Sequence, residues 1–432
     1  MKMVAGRSIC IASALAVMCH SALADDYAEA RADLVAAYQA QDYPTMVTAG
    51  ERALLARPGY PGALFNLALA NALNGEPRAA LGNLTVLLNN GIDFGVAGMD
   101  DFAAVRDLPE WESYRQRVAA LHQPVGSARI AVQLDEDRFV PEGIAIDAAG
   151  AVWLGSIHQA RVLRDGKVVS DRQGHWSVFG MRFHDDGSLW FASAAVAQLA
   201  DVGEDLGKAG LFRLDPLTGK VTRAALLPQF EERQVLGDLV IAGNTIYTTD
   251  SLTGAVYRYD IERDAYTPLV ERGTFVSPQG LVLDATGEHL FVADYVGGLY
   301  RVSLADGELE KMLVMPLGTD FGIDGLYRRG DELVAIQNGI RPHRVATFRL
   351  LNAGEGAIYS RIVAANLPQF DEPTLGVVQG DDFFFVANSH WNRFDPENRL
   401  PAGLSGPIVL EISLIEREAL DTANQNDYSD PR

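Results

Sequence analysis

Three carboxylates and one amide stand where short apolar runs of this sequence begin. They are Glu142 before Gly143, Asp238 after Gly237, Gln279 before Gly280 and Asp324 before Gly325. Phe179 and Thr374-Leu375 hold the corresponding places in two further runs, and a second polar set closes the runs that follow: Ser156, Ser193, Asp250, Asp294, Asn338 and Asn388. Buried carboxylates brought to one place repel each other, and a divalent cation among them relieves the repulsion. A donor set made only of oxygens suits a hard cation. Glu142, Asp238, Gln279 and Asp324 are therefore the candidate ligands, for Ca2+ or Mg2+ ahead of a softer ion such as Zn2+. Asp250, Asp294, Asn338 and Asn388 are candidates for contact with a substrate. His158 and His390 each lie two residues past the end of such a run and could transfer protons or touch substrate. Arg341, with His343, would give a positive rim, and the Trp391-Asn-Arg-Phe segment a wall.

These residues can meet only if the elements carrying them are arranged around an axis. From Ala128 onward one unit recurs: an apolar strand, a tight turn, a second strand ending in small polar residues, then a third strand of alternating pattern. The six copies begin at Glu142, Gly180, Asp238, Gln279, Asp324 and Leu375, at intervals of 38 to 58 residues, the spacing of propeller blades. The pattern predicts a six-bladed β-propeller over residues 126–416. In such a ring the start of the first strand and the end of the second share one mouth, so both polar sets converge there. Five blades have an outer strand of their own, such as Val221-Thr-Arg-Ala-Ala; the sixth lacks one after Ser413. The strand Ala128-Arg-Ile-Ala-Val-Gln, ahead of the first blade, is expected to supply it and close the ring, removing the free edges of an open sheet.

Ahead of the propeller, residues 25–125 are rich in Ala and Leu at helical spacing, for example Ala63, Leu64, Leu67, Ala68 and Asn71, then Ala79, Ala80, Leu84 and Leu87. Pro61–Asn90 resembles a tetratricopeptide repeat (TPR), with a looser copy over Asp26–Arg57 and a degenerate element over Phe102–Leu121. Such repeats bury their faces only against neighbours, so the segment is expected either to cap the propeller or to dock a protein partner. Lys2 and Arg7, the apolar run Ile9–Met18 and Ser21-Ala22-Leu23-Ala24 read as a secretory signal cleaved after Ala24. A periplasmic or secreted protein, with no membrane span after cleavage, is the expectation. Cys10 and Cys19 both lie in that signal, so the mature chain would have no disulfide, thiol nucleophile or cysteine-held zinc. The net charge is −21, and losing Lys2 and Arg7 deepens it, which argues against nucleic acid and anionic membrane as partners. Apolar residues make up 48% of the chain, enough for a sizeable core. Residues 417–432 read as a tail. Neither a glycine-rich phosphate loop nor a Ser-His-Asp signature is present.

The Glu-Gly-Ile, Asp-Leu, Gln-Gly and Asp-Gly openings on a six-bladed ring resemble the SMP-30/gluconolactonase group and its paraoxonase and strictosidine-synthase-like relatives, over about residues 128–415. The resemblance implies a divalent cation, usually calcium, at the channel mouth, with Glu142 and Asp324 matching the family's early Glu and late Asp. Gln279 stands where Asn is usual, and Asp238 where some relatives carry Asn. The implied activity is hydrolysis of a small lactone or ester, the cation polarising the carbonyl and Asp324 or Asp238 activating a water. The alternative is a non-catalytic propeller and repeat module that binds a ligand or a protein.

Overall fold

The computed structural model describes residues 26–315 and 318–415. The expected signal with both cysteines and the expected tail lie outside them. Six helices come first: Asp26–Ala40, Tyr43–Ala56, Pro61–Leu73, Pro77–Asn89, the single turn Ala103–Arg106 and Trp111–Leu121. Proline stands in the first turn of three of them, where its missing N–H costs nothing. Asp42 caps the second through the Thr45 amide at 3.2 Å. Alanines let the pairs approach closely: Ala30, Ala63, Ala68, Ala70 and Ala80 are fully buried. The segment is helical throughout, as expected.

Six sheets follow, one per blade. Blade 1 runs Pro141–Ile146, Val152–Ser156, Val162–Arg164, Lys167–Ser170; blade 2 runs Ser177–Phe183, Leu189–Ala194, Ala209–Asp215, Lys220–Leu226. Blade 3 spans Leu236–Ala242 to Ala265–Val270 and blade 4 spans Pro278–Leu283 to Leu309–Lys311. Blade 5 is built on Ile323–Arg329, Glu332–Gln337, Arg344–Leu351 and Gly356–Ala365, and takes a fifth strand, Leu313–Met315, parallel to its outer edge. Blade 6 has Gly376–Gln379, Asp382–Val386 and Ile408–Ser413. Its outermost strand is Arg129–Gln133, antiparallel to Ile408–Ser413, with Arg129 opposite and ion-paired to Glu411. The ring is thus closed by the strand that precedes the first blade, as the sequence pattern required.

Stability resides between blades. One apolar cluster fills each of the six junctions: Trp153, Phe191 and Phe212 between blades 1 and 2, Trp190 and Tyr259 between 2 and 3, Phe291 and Phe348 between 4 and 5, Tyr327, Phe383 and Phe385 between 5 and 6, with equivalents elsewhere. Each fully buried large side chain contributes about 1.5–3 kcal/mol. Inner strands are buried on both faces, whereas an outer strand such as Lys220–Leu226 alternates, as one dry and one wet face demand.

The helices sit against blade 5 and the segments that flank it. Ile340, in the loop after the second strand of blade 5, belongs to the helical core. The Asp93 amide donates to the Arg341 carbonyl at 2.9 Å, Arg344 Nη2 to the Gly91 carbonyl at 2.6 Å, and Asn366 Nδ2 to the Leu121 and Gln123 carbonyls. Val125 and Ala365 bond to each other through their backbones. Tyr60 meets Phe321 edge-on at 5.6 Å. The helical segment is thereby fixed beside the loops of one mouth.

Candidate functional site

In each of the first five blades the innermost strand breaks register at its start: between Pro141 and Ile144, Val178 and Met181, Leu236 and Leu239, Pro278 and Leu281, and Ile323 and Gly325. The residues left over are Glu142-Gly143, Phe179-Gly180, Gly237-Asp238 and Gln279-Gly280 in the first four blades and Asp324 in the fifth. A bulge of this kind re-aims a side chain. Its glycine is needed because inner strands crowd at the axis. A Cβ on Gly143 would come within 2.1 Å of the Phe179 carbonyl oxygen, and one on Gly280 within 2.3 Å of the Leu326 amide. The polar-glycine signature therefore serves packing and side-chain placement together.

Glu142 and Asp324, from blades 1 and 5, come together. Glu142 is buried, and Trp391 Nε1 donates to its Oε2 at 2.7 Å. Its pKa is pushed well above the usual carboxylate range by burial and then by the charge of Asp324. Asp324 accepts from Asn338 Nδ2 at 2.6 Å, and Tyr295 OH donates to Asn338 Oδ1 at 2.9 Å. Burial raises Asp324 to about 7; the Asn338 hydrogen bond opposes the rise, and Glu372 and Asp238 add to it. Among the described residues no Lys, Arg or His forms an ion pair with either carboxylate.

Asp238 departs from the expectation that it is a free ligand or base. Blade 3 reads Gly237-Asp238, the reverse order, so Asp238 takes the bulge position where blades 1, 2 and 4 have glycine. Its carboxylate meets Arg182 of blade 2 at 3.2 Å, and its other oxygen accepts the Leu239 amide. Arg182 lies over the Tyr327 ring of blade 5 at 5.5 Å. Asp238 is thus already neutralised. Gln279 donates its amide to Ser277 Oγ at 3.0 Å.

The second polar set divides. Asn338 belongs to the mouth. Asp250 is fully buried and accepts from the Val235, Leu252 and Thr253 amides and the Thr253 hydroxyl. Asp294 accepts from the amides of Val276, Ser277, Val296 and Gly297. Asn388 donates to the Gly406 carbonyl and accepts from the Ile408 amide. These three organise turns and are not free for substrate: a side chain ending a strand at a tight turn satisfies the turn's amides first. His158 Nδ1 donates to the Gln198 carbonyl at 2.7 Å and its Nε2 accepts from Arg138 at 3.1 Å, which consumes both ring nitrogens. His390 donates to the Ser405 carbonyl at 2.9 Å, with Nδ1 3.3 Å from Asp371. Arg341 is exposed at the rim, and its charge restrains the rise at Glu372. Burial and then Arg341 push His343 down to about 4.

Several mouth residues escape sequence reasoning. Glu372, with the positive backbone φ of 64°, is half-buried, accepts the Asn392 amide at 2.8 Å and is raised by burial. Strain at a non-glycine residue is a common mark of function; the acidic Asp371-Glu372 pair ahead of blade 6 is its only trace in sequence. Tyr295 is raised by burial and then by Asp324, Glu372, Tyr60 and Glu142, which places it inside the acidic group. The one trace of Arg182 in the sequence is a charge inside an apolar strand. Phe179 and Trp391, 6.3 Å apart, form an aromatic wall over Glu142, as the Trp391 segment was expected to do.

No protein-family model matches the sequence. No curated protein sequence matches it either. Solved structures do resemble the propeller. The PQQ-bound aldose sugar dehydrogenase of Streptomyces coelicolor is 12% identical, with a TM-score of 0.47 over 67% of this chain and 98% of that one. A putative oxidoreductase (glucose dehydrogenase) of Thermus thermophilus is 15% identical, with a TM-score of 0.44 over 66% and 99%. Regucalcin, a calcium-binding protein of Agrobacterium tumefaciens, is 16% identical, with a TM-score of 0.47 over 66% and 93%.

Proposed function

We propose that the mouth holding Glu142 and Asp324 is the active site of a divalent-cation-dependent hydrolase for a small lactone or ester. The observation that carries the reading is one mutually repelling carboxylate pair, buried Glu142 and half-buried Asp324, contributed by separate blades and lacking a basic partner among the described residues. This donor set fits a hard cation such as Ca2+. Among the described residues no three of His, Cys, Asp and Glu gather around one point, so amide oxygens, substrate and water would complete the coordination. Glu142 and Asp324 would hold the ion, which when bound supplies Lewis-acid polarisation of the substrate carbonyl.

The chain's own residues do the rest. Asp324 is raised to about 7, so near neutral pH it can both accept and return a proton. Asn338 occupies Oδ2 and leaves Oδ1 to take the proton of an attacking water. That water's oxygen bonds to the carbonyl carbon, the ring or ester C–O bond breaks, and the departing alkoxide takes the proton back from Asp324. Tyr295 fixes Asn338, Trp391 fixes Glu142, and Phe179 helps keep bulk water out. On the signal-like first 24 residues we also place the protein outside the cytoplasm; no helix among the described residues is long and apolar enough to cross a membrane. The test is a lactone and aryl-ester panel with and without chelator, followed by Glu142→Gln. Full activity after complete metal removal would overturn the reading.

One observation favours a second reading. Asp238 is spent on Arg182 and the Gln279 amide on Ser277, which thins the donor set and suits a non-catalytic module that binds a ligand, with the TPR-like helices contacting a protein. A stoichiometric partner retained by the full-length protein, together with no turnover on any substrate of the panel, would select it.

A further inference from the structure

Away from the mouth, the junction between the last helix and blade 5 encloses a cavity of about 190 Å³ lined by Ala120, Leu121, Val125, Pro342, Arg344, Ile362 and Ala365. Its walls are apolar except for one guanidinium. Arg344 is only 2% exposed. Its Nη2 donates to the Gly91 carbonyl at 2.6 Å, but its Nε has no hydrogen-bond partner, and among the described residues no carboxylate pairs with it. Burial opposes the charged form of the guanidinium, while the Tyr359 hydroxyl, which lies against it, favours that form. An arginine does not shed its proton in a protein, and an unpaired buried charge is unfavourable unless something neutralises it. A buried guanidinium with an unpartnered Nε and no carboxylate, lining a cavity with room for about six waters, describes a receptor for an anion.

We propose that this cavity binds a short-chain monocarboxylate, its carboxylate on the Arg344 guanidinium and its aliphatic tail against Leu121, Val125, Pro342 and Ile362. Guanidinium edges are shaped for carboxylates, and the apolar walls select an anion with a hydrocarbon tail over a mineral one. The proposal is independent of the reading of the mouth. Its location gives it a consequence: the Arg344 strand follows the loop whose Arg341 carbonyl anchors Asp93, so an occupant would tighten the helical segment onto blade 5.

The experiment is thermal unfolding of the full chain in sodium butyrate, butyramide and sodium chloride at matched ionic strength. Saturating butyrate is expected to raise the midpoint by about 3 °C or more, with butyramide and chloride giving less than a third of that. Two variants locate the effect. Arg344→Met removes the charge, and Ala120→Trp, at an exposed helix position, plugs the cavity without touching the guanidinium. Loss of the butyrate shift in Ala120→Trp supports the site even if Arg344→Met fails to fold. An equal response to butyrate and butyramide, or a full butyrate shift in Ala120→Trp, overturns it and leaves a cavity holding only water.

Discussion

Replacing Asp324 by Asn in the metal-free protein is expected to stabilise the fold while abolishing turnover. Burial and the neighbouring Glu372 and Asp238 charges raise Asp324 from 3.8 to about 7. Between those values the folded protein holds a proton that the unfolded chain has lost, so the wild type loses stability as pH rises through that window and levels off above it. Three pKa units at 1.36 kcal/mol each give an upper limit of about 4 kcal/mol. The half-buried position of Asp324 and its hydrogen bond from Asn338 reduce the realistic figure to about 2–3 kcal/mol. Asn carries no charge, so the variant escapes the loss. Urea unfolding in chelator should show the two proteins matched near pH 4 and separated by about 2–3 kcal/mol in favour of Asp324→Asn at pH 8. Adding Ca2+ should narrow the gap, because the ion offsets the repulsion in the wild type alone. Parallel stability profiles across that range would refute the claim that Asp324 sits strained among like charges, and with it the argument for a cation there.

Other outcomes follow from the same geometry. Glu142→Gln should cost at least about 100-fold in turnover and remove the stabilisation by Ca2+, both read in the lactone assay and in thermal unfolding. Arg182→Met strands Asp238 in the channel and should destabilise by about 3–5 kcal/mol in urea, with a smaller loss at pH 4, where Asp238 takes up a proton. Tyr295→Phe deletes only the hydroxyl that holds Asn338; several-fold lower turnover and a shifted acid limb of the pH–rate profile are expected, with stability changed by about 0.5–1.5 kcal/mol. Gly280→Ala forces a methyl against the Leu326 amide and should cost about 1–3 kcal/mol, whatever the site does.

The channel has the character of a place where stability is given up. Six apolar junctions hold the ring with ample margin, and the axis carries Glu142, Asp324, Glu372 and the Asp238–Arg182 pair, none of which a purely structural core needs. Their concentration at one mouth, under the Trp391 loop and beside the docked helices, is the physical basis for regarding that mouth as the functional end.

Much of the molecule was decided by local sequence. Apolar runs of strand length punctuated by glycine repeat six times, and a ring of that size can close only if the last blade finds its missing strand; Arg129–Gln133 was the one unassigned strand and took that place. Glu142 and Asp324 were equally legible, because each stands immediately before a glycine at the start of an inner strand. What sequence could not decide was which polar side chains would already be occupied. Asp238 and Asp324 look alike in the chain, yet reversing one glycine turned Asp238 onto Arg182, 56 residues away. Asp250, Asp294, Asn388 and His158 bear the right chemistry but are consumed, in part by amides of their own turns and in part by groups that become neighbours only after folding. Glu372, Tyr295 and the seat of the helices on blade 5 depend on loops from separate blades meeting at one rim. Spacing along a chain encodes which face a residue takes; the company it keeps on that face is fixed by contacts between distant segments.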